Sequence, residues 1–192
     1  MRDVFKASAI FGGRAYRFGK PLGADSKGVL LACGINIGKI SAVGQVEGAH
    51  EFLKQRCRAA VGVLKMVDNP YNCLTLCSGS LNANPENNVA DIVRKHCDRI
   101  AFAHIRNVKH FPNGDFRESS HRDCDGDTGI LEILRAYHEC GFNGYIRPDH
   151  GRHLWGEKAG TVRPGYGLYD RALGIMYMLG VWDLLERQKE SK

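Results

Sequence analysis

From about residue 65 onward the sequence predicts a parallel α/β fold. Two observations support this: short apolar, strand-like runs alternate with segments of helical period, and turn residues punctuate the joints between them. A third observation concerns chemistry, because each strand-like run closes on polar residues of metal-binding or acid–base type.

The first run, residues 73–76, follows the Asn69-Pro70 turn and ends in Cys77-Ser78-Gly79-Ser80. Asn84-Pro85 then places a cap before a proline at the first helical position, and Val89, Ile92, Val93 and Cys97 form an apolar face at helical spacing. Residues 100–105 are apolar and few enough for a buried strand. Residues 107–127 are polar and turn-rich, a long loop of the kind that carries function. Asp127 or Thr128 stands where it can cap a helix with Ile130, Leu131, Leu134 and Tyr137 inward, and Gly141 stops that helix. A short strand, 144–147, is closed by Pro148, and a last amphipathic helix, roughly 169–188, carries Leu173, Met176, Tyr177, Gly180 and Leu184.

Residues 1–64 read differently and form a separate, unassigned Gly-rich basic segment. They hold ten of the 23 glycines and show little sustained periodicity, with a plausible strand at 28–37 and an imperfectly spaced helix at 47–66. The whole net charge of +6 lies there, ten Lys or Arg against Asp3, Asp25, Glu47 and Glu51. The excess neither clusters on a nucleic-acid motif nor interleaves with aromatics, so a nucleic-acid partner is not expected. A membrane span of about 20 apolar residues is missing, and charges stand where a signal peptide's apolar segment would lie, so the expected location is the cytoplasm. Seven cysteines without a repeated pair spacing or an export signal predict no disulfide framework. Most are expected as small buried apolar residues, which leaves room for one or two metal-binding thiolates.

In parallel α/β barrels the loops after the strands build the active site, so polar residues at strand ends weigh more than the same residues elsewhere. Three such ends line up: Cys77, then His104 followed by Arg106-Asn107, then Arg147-Pro148-Asp149-His150. Taken singly, His104 and Cys77 read as core residues and Asp149 as a turn cap. Jointly, a thiolate, an imidazole and a carboxylate suit a divalent transition metal that keeps positions open for substrate.

Five segments, in order, resemble the mannonate dehydratase family: residues 74–81, 102–108, 118–121, 145–151 and 163–171. The likeness covers about residues 65–186. It implies a TIM-type (β/α)8 barrel that binds Mn²⁺ or Fe²⁺ and removes water from D-mannonate to give 2-keto-3-deoxy-D-gluconate, a step of hexuronate breakdown. It implies metal ligation by Cys77, His104 and Asp149, and acid–base roles for His150 and Tyr166 that are not divided between them. Imidazole suits a base at neutral pH, and a phenol of pKa about 10 suits a proton donor. Arg106, His121, Arg147 and Arg171 are the groups expected to hold the carboxylate or hydroxyls.

The family has a complete barrel and a further histidine ligand in a His-Pro-Asp-Asp segment before the cysteine. Here His50 precedes Glu51-Phe52 instead. The chain is therefore expected to carry only the C-terminal half of the barrel, three βα units. Three other readings stay open: an inactive remnant, a fragment completed by a second copy or another chain, and another divalent-metal barrel enzyme such as a sugar isomerase.

Overall fold

The computed structural model describes residues 73–158 and 163–191, together with the backbone of three short antiparallel strands, β1 (Ile10–Phe11), β2 (Arg14–Arg17) and β3 (Lys20–Pro21). The strand expected at 28–37 and the helix expected at 47–66 lie outside the described residues.

The main unit is built on a parallel sheet of three strands, β4 (Leu74–Cys77), β5 (Ile100–Ile105) and β8 (Tyr145–Pro148), in that spatial order. Among the described residues four helices follow in chain order: α1 (Ser78–Leu81), α2 (Val89–His96), α3 (Ile130–Glu139) and α4 (Leu168–Glu190). The strand–helix alternation read from the sequence is thus present, and parallel neighbours joined through helices are what it requires.

Because side chains alternate across a strand, each strand shows two faces. Leu74, Leu76, Ala103, Ile105 and Ile146 enter one core with Val93, Ile133, Leu134 and Tyr137 of the helices. The opposite face carries Cys77, His104 and Arg147 side by side, since Cys77 pairs in register with His104 and His104 with Arg147. Burying the apolar face against helices therefore leaves the polar residues aligned across three strands.

Several boundaries differ from the sequence reading. Asn84 does not cap the second helix: its side-chain oxygen accepts from the Glu86 amide at 3.2 Å, and α2 starts four residues later, where Asn88 accepts from Asp91 N at 3.1 Å. Neither Asp127 nor Thr128 caps α3. Thr128 Oγ accepts from the Val108 amide and from Asn82, while Asp127 accepts from Lys109 and the His110 amide. Gly129, at φ 71°, stands at the cap position, and Asp123 Oδ1 takes the first-turn amide of Leu131 at 2.9 Å. The long polar loop contains an antiparallel hairpin, β6 (Val108–His110) with β7 (Phe116–Glu118), before a 3₁₀ turn at Asp123–Asp125.

The last helix buries Gly174, Met178, Val181, Trp182 and Leu185, whereas Leu173, Met176 and Leu184 are exposed. Apolar residues surround this helix, so its spacing alone did not select the inward face. The cysteine expectation also needs correction, because Cys97 and Cys140 form a disulfide. Packing of α2 beside α3 brings the two Cα atoms to 6.5 Å across 43 residues, a juxtaposition that no spacing pattern encodes. Among the described residues Cys77 and Cys124 are free thiols.

Candidate metal centre

Cys77, His104 and Asp149 each offer one ligand atom, and these atoms lie within 4.8 Å of one another. Cys77 and His104 come together through the strand register. Asp149 follows the last residue of β8, and its amide donates to the Ile105 carbonyl at 2.8 Å, which carries the carboxylate over the end of β5.

Asp149 is 5% exposed and is approached from every side. Arg147 Nη2 donates to Oδ1 at 2.7 Å, His104 Nδ1 stands 3.4 Å from Oδ1, and the Cys77 thiol donates to Oδ2 at 3.4 Å. Burial opposes its charge, but His104, His150, Arg147 and Arg106 outweigh burial and hold the carboxyl down to about 2. Burial pushes the His104 imidazole down to about 4 against the pull of Asp149, so the ring is neutral at ordinary pH with a lone pair to give. Burial, reinforced by the Asp149 charge, pushes the Cys77 thiol up to about 12. A divalent cation beside this sulfur would displace its proton, because a thiol ligates as the thiolate.

The donors fit such a cation. They are sulfur, nitrogen and oxygen in one cluster, and His104 Nε2 is buried without a hydrogen-bond partner.

His150 lies beside this cluster, with Nε2 3.7 Å from Asp149 Oδ2, and Tyr166 lies beside His150. Gly151 N donates to the Gly165 carbonyl and Gly167 N donates to the Gly151 carbonyl, both at 2.9 Å, so the Tyr166 segment runs alongside the end of β8. This approach needs glycine, since a Cβ on Gly151 would meet the Gly167 carbonyl at 2.5 Å. The His150 and Tyr166 rings come to 4.9 Å between centroids. The guanidinium groups of Arg163 and Arg171 stand 4.9 and 5.8 Å from the Tyr166 ring centre.

The expected substrate-holding residues are placed unequally. Arg147 lies at the cluster, against Asp149, and over the Phe102 ring at 5.7 Å. Arg171 turns its Nε and Nη2 to the carbonyls of Gly167 and Tyr166. Arg106 is buried with its guanidinium on Glu118, and His121 is buried with Nε2 3.1 Å from the Ile105 carbonyl, under Gly174 of α4. The sequence reading assigned no role to Glu118, although the residue opens one of the family-like segments. Glu118 Oε1 lies 2.9 Å from His150 Nδ1, and their separation of 32 residues means that no local pattern announces the contact.

The family model described as D-mannonate dehydratase (UxuA) matches residues 56–192. The chain belongs to the D-mannonate dehydratase family. It is 62% identical over 129 residues to mannonate dehydratase 1 of Bacillus licheniformis, covering 67% of this chain and 34% of that protein. It is 60% identical over 129 residues to the mannonate dehydratase of Endomicrobium trichonymphae, covering 67% and 35%. The crystal structure of mannonate dehydratase from Streptococcus suis serotype2 matches with TM-score 0.64 at 35% identity, over 69% of this chain and 38% of that one.

The chain thus spans about a third of the length of these mannonate dehydratases. Its fold is a partial barrel of the TIM type: β4, β5 and β8, with the helices that follow them, form three successive βα units. The family match begins at residue 56, somewhat before the resemblance read from the motifs.

Proposed function

We propose that this chain carries the metal-binding and proton-transfer part of a mannonate dehydratase acting on a sugar acid, D-mannonate, with Mn²⁺ or Fe²⁺. The observation that carries the reading is one convergence: three ligand atoms within 4.8 Å of one another, beside a His150–Tyr166 pair 4.9 Å apart. Cys77, His104 and Asp149 would hold the cation, which when bound supplies positive charge for the substrate carboxylate and a neighbouring hydroxyl.

His150 and Tyr166 share two proton transfers. One takes the C2 proton, whose bonding pair becomes the C2–C3 double bond. The other protonates the C3 hydroxyl, which leaves as water. The resulting enol becomes 2-keto-3-deoxy-D-gluconate when its hydroxyl proton moves to C3. Arg147, adjacent to the ligands, and Arg171, beside Tyr166, are the cations for the carboxylate and hydroxyls. Arg106 and His121 support the site from buried positions. The same reading assigns the chain to hexuronate breakdown in the cytoplasm.

A second reading, in which strands from a second copy or another polypeptide complete the barrel or the chain is a catalytically inactive remnant, rests on the edges of the sheet. Among the described residues β4 and β8 are each paired on one side only, and such edges favour association.

The test is to purify the 192-residue chain, add Mn²⁺ and D-mannonate, and follow the 2-keto-3-deoxy product, with Cys77→Ala and His150→Asn as controls. Turnover abolished by both substitutions supports the dehydratase. No turnover and no bound metal supports the second reading, and light scattering then separates an assembled barrel from a monomeric remnant.

A further inference from the structure

We propose that Glu118 is a positioning residue for His150: its carboxylate accepts the Nδ1 proton and fixes the ring in the tautomer whose bare Nε2 faces the metal centre. The inference deepens the reading of His150 as a proton-transfer group and rests on it.

His150 Nδ1 lies 2.9 Å from Glu118 Oε1, while Nε2 on the other side of the ring lies 3.7 Å from Asp149 Oδ2. A carboxylate can only accept, so the Glu118 contact requires the proton on Nδ1 and leaves the Nε2 lone pair free in the neutral ring. Burial opposes ionisation of Glu118, but hydrogen bonds from His150 and Arg106 outweigh it and hold the carboxyl below its ordinary range.

What distinguishes this contact from a chance surface pair is how Glu118 is held. Arg106 donates through Nε to Oε2 at 3.0 Å and through Nη2 to Oε1, a two-pronged grip that fixes the carboxylate plane. Arg106 is itself fixed. Its amide and carbonyl both bond the Ser78 hydroxyl at 2.8 Å, and its stem lies where a Cβ on Gly79 would stand, 2.6 Å from Cγ. The β6–β7 hairpin presents Glu118 opposite Val108. The Ser78-Gly79 step after β4, Arg106 after β5, the hairpin and His150 after β8 thus form one chain of contacts across the strand ends. Gly165, whose Cβ would come within 3.2 Å of Nδ1, leaves open the edge of the ring that Glu118 reaches.

The test reads the tautomer directly, by long-range ¹H–¹⁵N spectra of the histidine-labelled 192-residue chain at a pH where imidazole is neutral. His150 is assigned by the signal lost in His150→Asn. The expected result is a protonated Nδ1 and a bare Nε2 in the wild type, moving toward the Nε2-protonated form in Glu118→Ala and in Glu118→Leu. A wild-type ring protonated on Nε2 overturns the proposal without any variant, as does an unchanged tautomer in either folded variant. Where the chain turns over D-mannonate, Glu118→Ala should lower kcat on the order of 10- to 100-fold with KM little changed, and Glu118→Asp should restore part of it. A rise in KM alone would overturn the positioning role. Lack of turnover bears on the proposed function and leaves the spectra to decide this inference.

Discussion

At the scale of single residues, the centre depends on groups whose charge is set by their neighbours. Asp149 is an ionised carboxylate because the basic groups around it outweigh its burial. Asp149→Asn keeps the shape and removes the charge, and is expected to weaken Mn²⁺ binding at least tenfold by isothermal titration. An unchanged affinity would remove Asp149 from the ligand set. Gly79 matters for the atom it lacks: in Gly79→Ala the methyl would fall 2.6 Å from Arg106 Cγ. Overpacking of this kind costs about 1–3 kcal/mol, to be seen as a lower urea midpoint. Glu118 shows what the sequence concealed. Its position in a family-like segment was visible, but its contact with His150 joins residues 32 apart and exists only once the hairpin forms.

At the scale of elements, caps and turns decided where helices start. Asn88 makes the capping hydrogen bond of α2, so Asn88→Ala should cost about 1 kcal/mol of stability, whereas a cap at Asn84 would leave Asn88→Ala silent. The first turn of α4 is tied to the loop after β8 by Asp170, 1% exposed, which accepts from Arg152 N at 2.7 Å, Nε at 2.9 Å and Nη2 at 3.0 Å. Burial opposes the Asp170 charge, but the Arg152 bonds outweigh it and lower its carboxyl below the ordinary value. A lowered folded pKa stabilises above the unfolded value, about 3.9, and that contribution disappears as pH falls through the folded one. Denaturation of the wild type followed below about pH 4 should therefore show a loss that is smaller in Asp170→Asn, which at pH 7 is already the less stable protein. Equal acid sensitivity of the two would show that the pair contributes nothing.

At the scale of the whole molecule, the disulfide joins the C-terminal ends of two neighbouring helices, Cys97 after α2 and Cys140 after α3, across 43 residues. A loop of that length corresponds to about 4 kcal/mol of chain entropy removed from the unfolded state, an upper figure for the stabilisation. Reductant, or Cys97→Ala, should lower the urea midpoint, and an unchanged midpoint would show that the bond is not formed in solution. The sheet itself spans three parallel strands among the described residues, and the matched relatives are about three times as long as the matched region. The apolar Leu173, Met176 and Leu184 on the outside of α4 are left exposed in this unit.

By itself the sequence determined the alternation of strands and helices from residue 73 onward, because the period of apolar residues is a local property that the backbone obeys directly. It also determined the metal-ligand candidates, since a thiol, an imidazole and a carboxylate recur at the ends of successive strands and carry their chemistry wherever the fold puts them. Tertiary structure alone decided what those groups meet. Parallel register placed Cys77 beside His104, packing of α2 on α3 joined Cys97 to Cys140, and Thr128 and Asp127 left the cap they could have made for bonds to the hairpin. Each of these is a contact between segments far apart in the chain, and its partner is chosen by burial and geometry that no window of sequence contains.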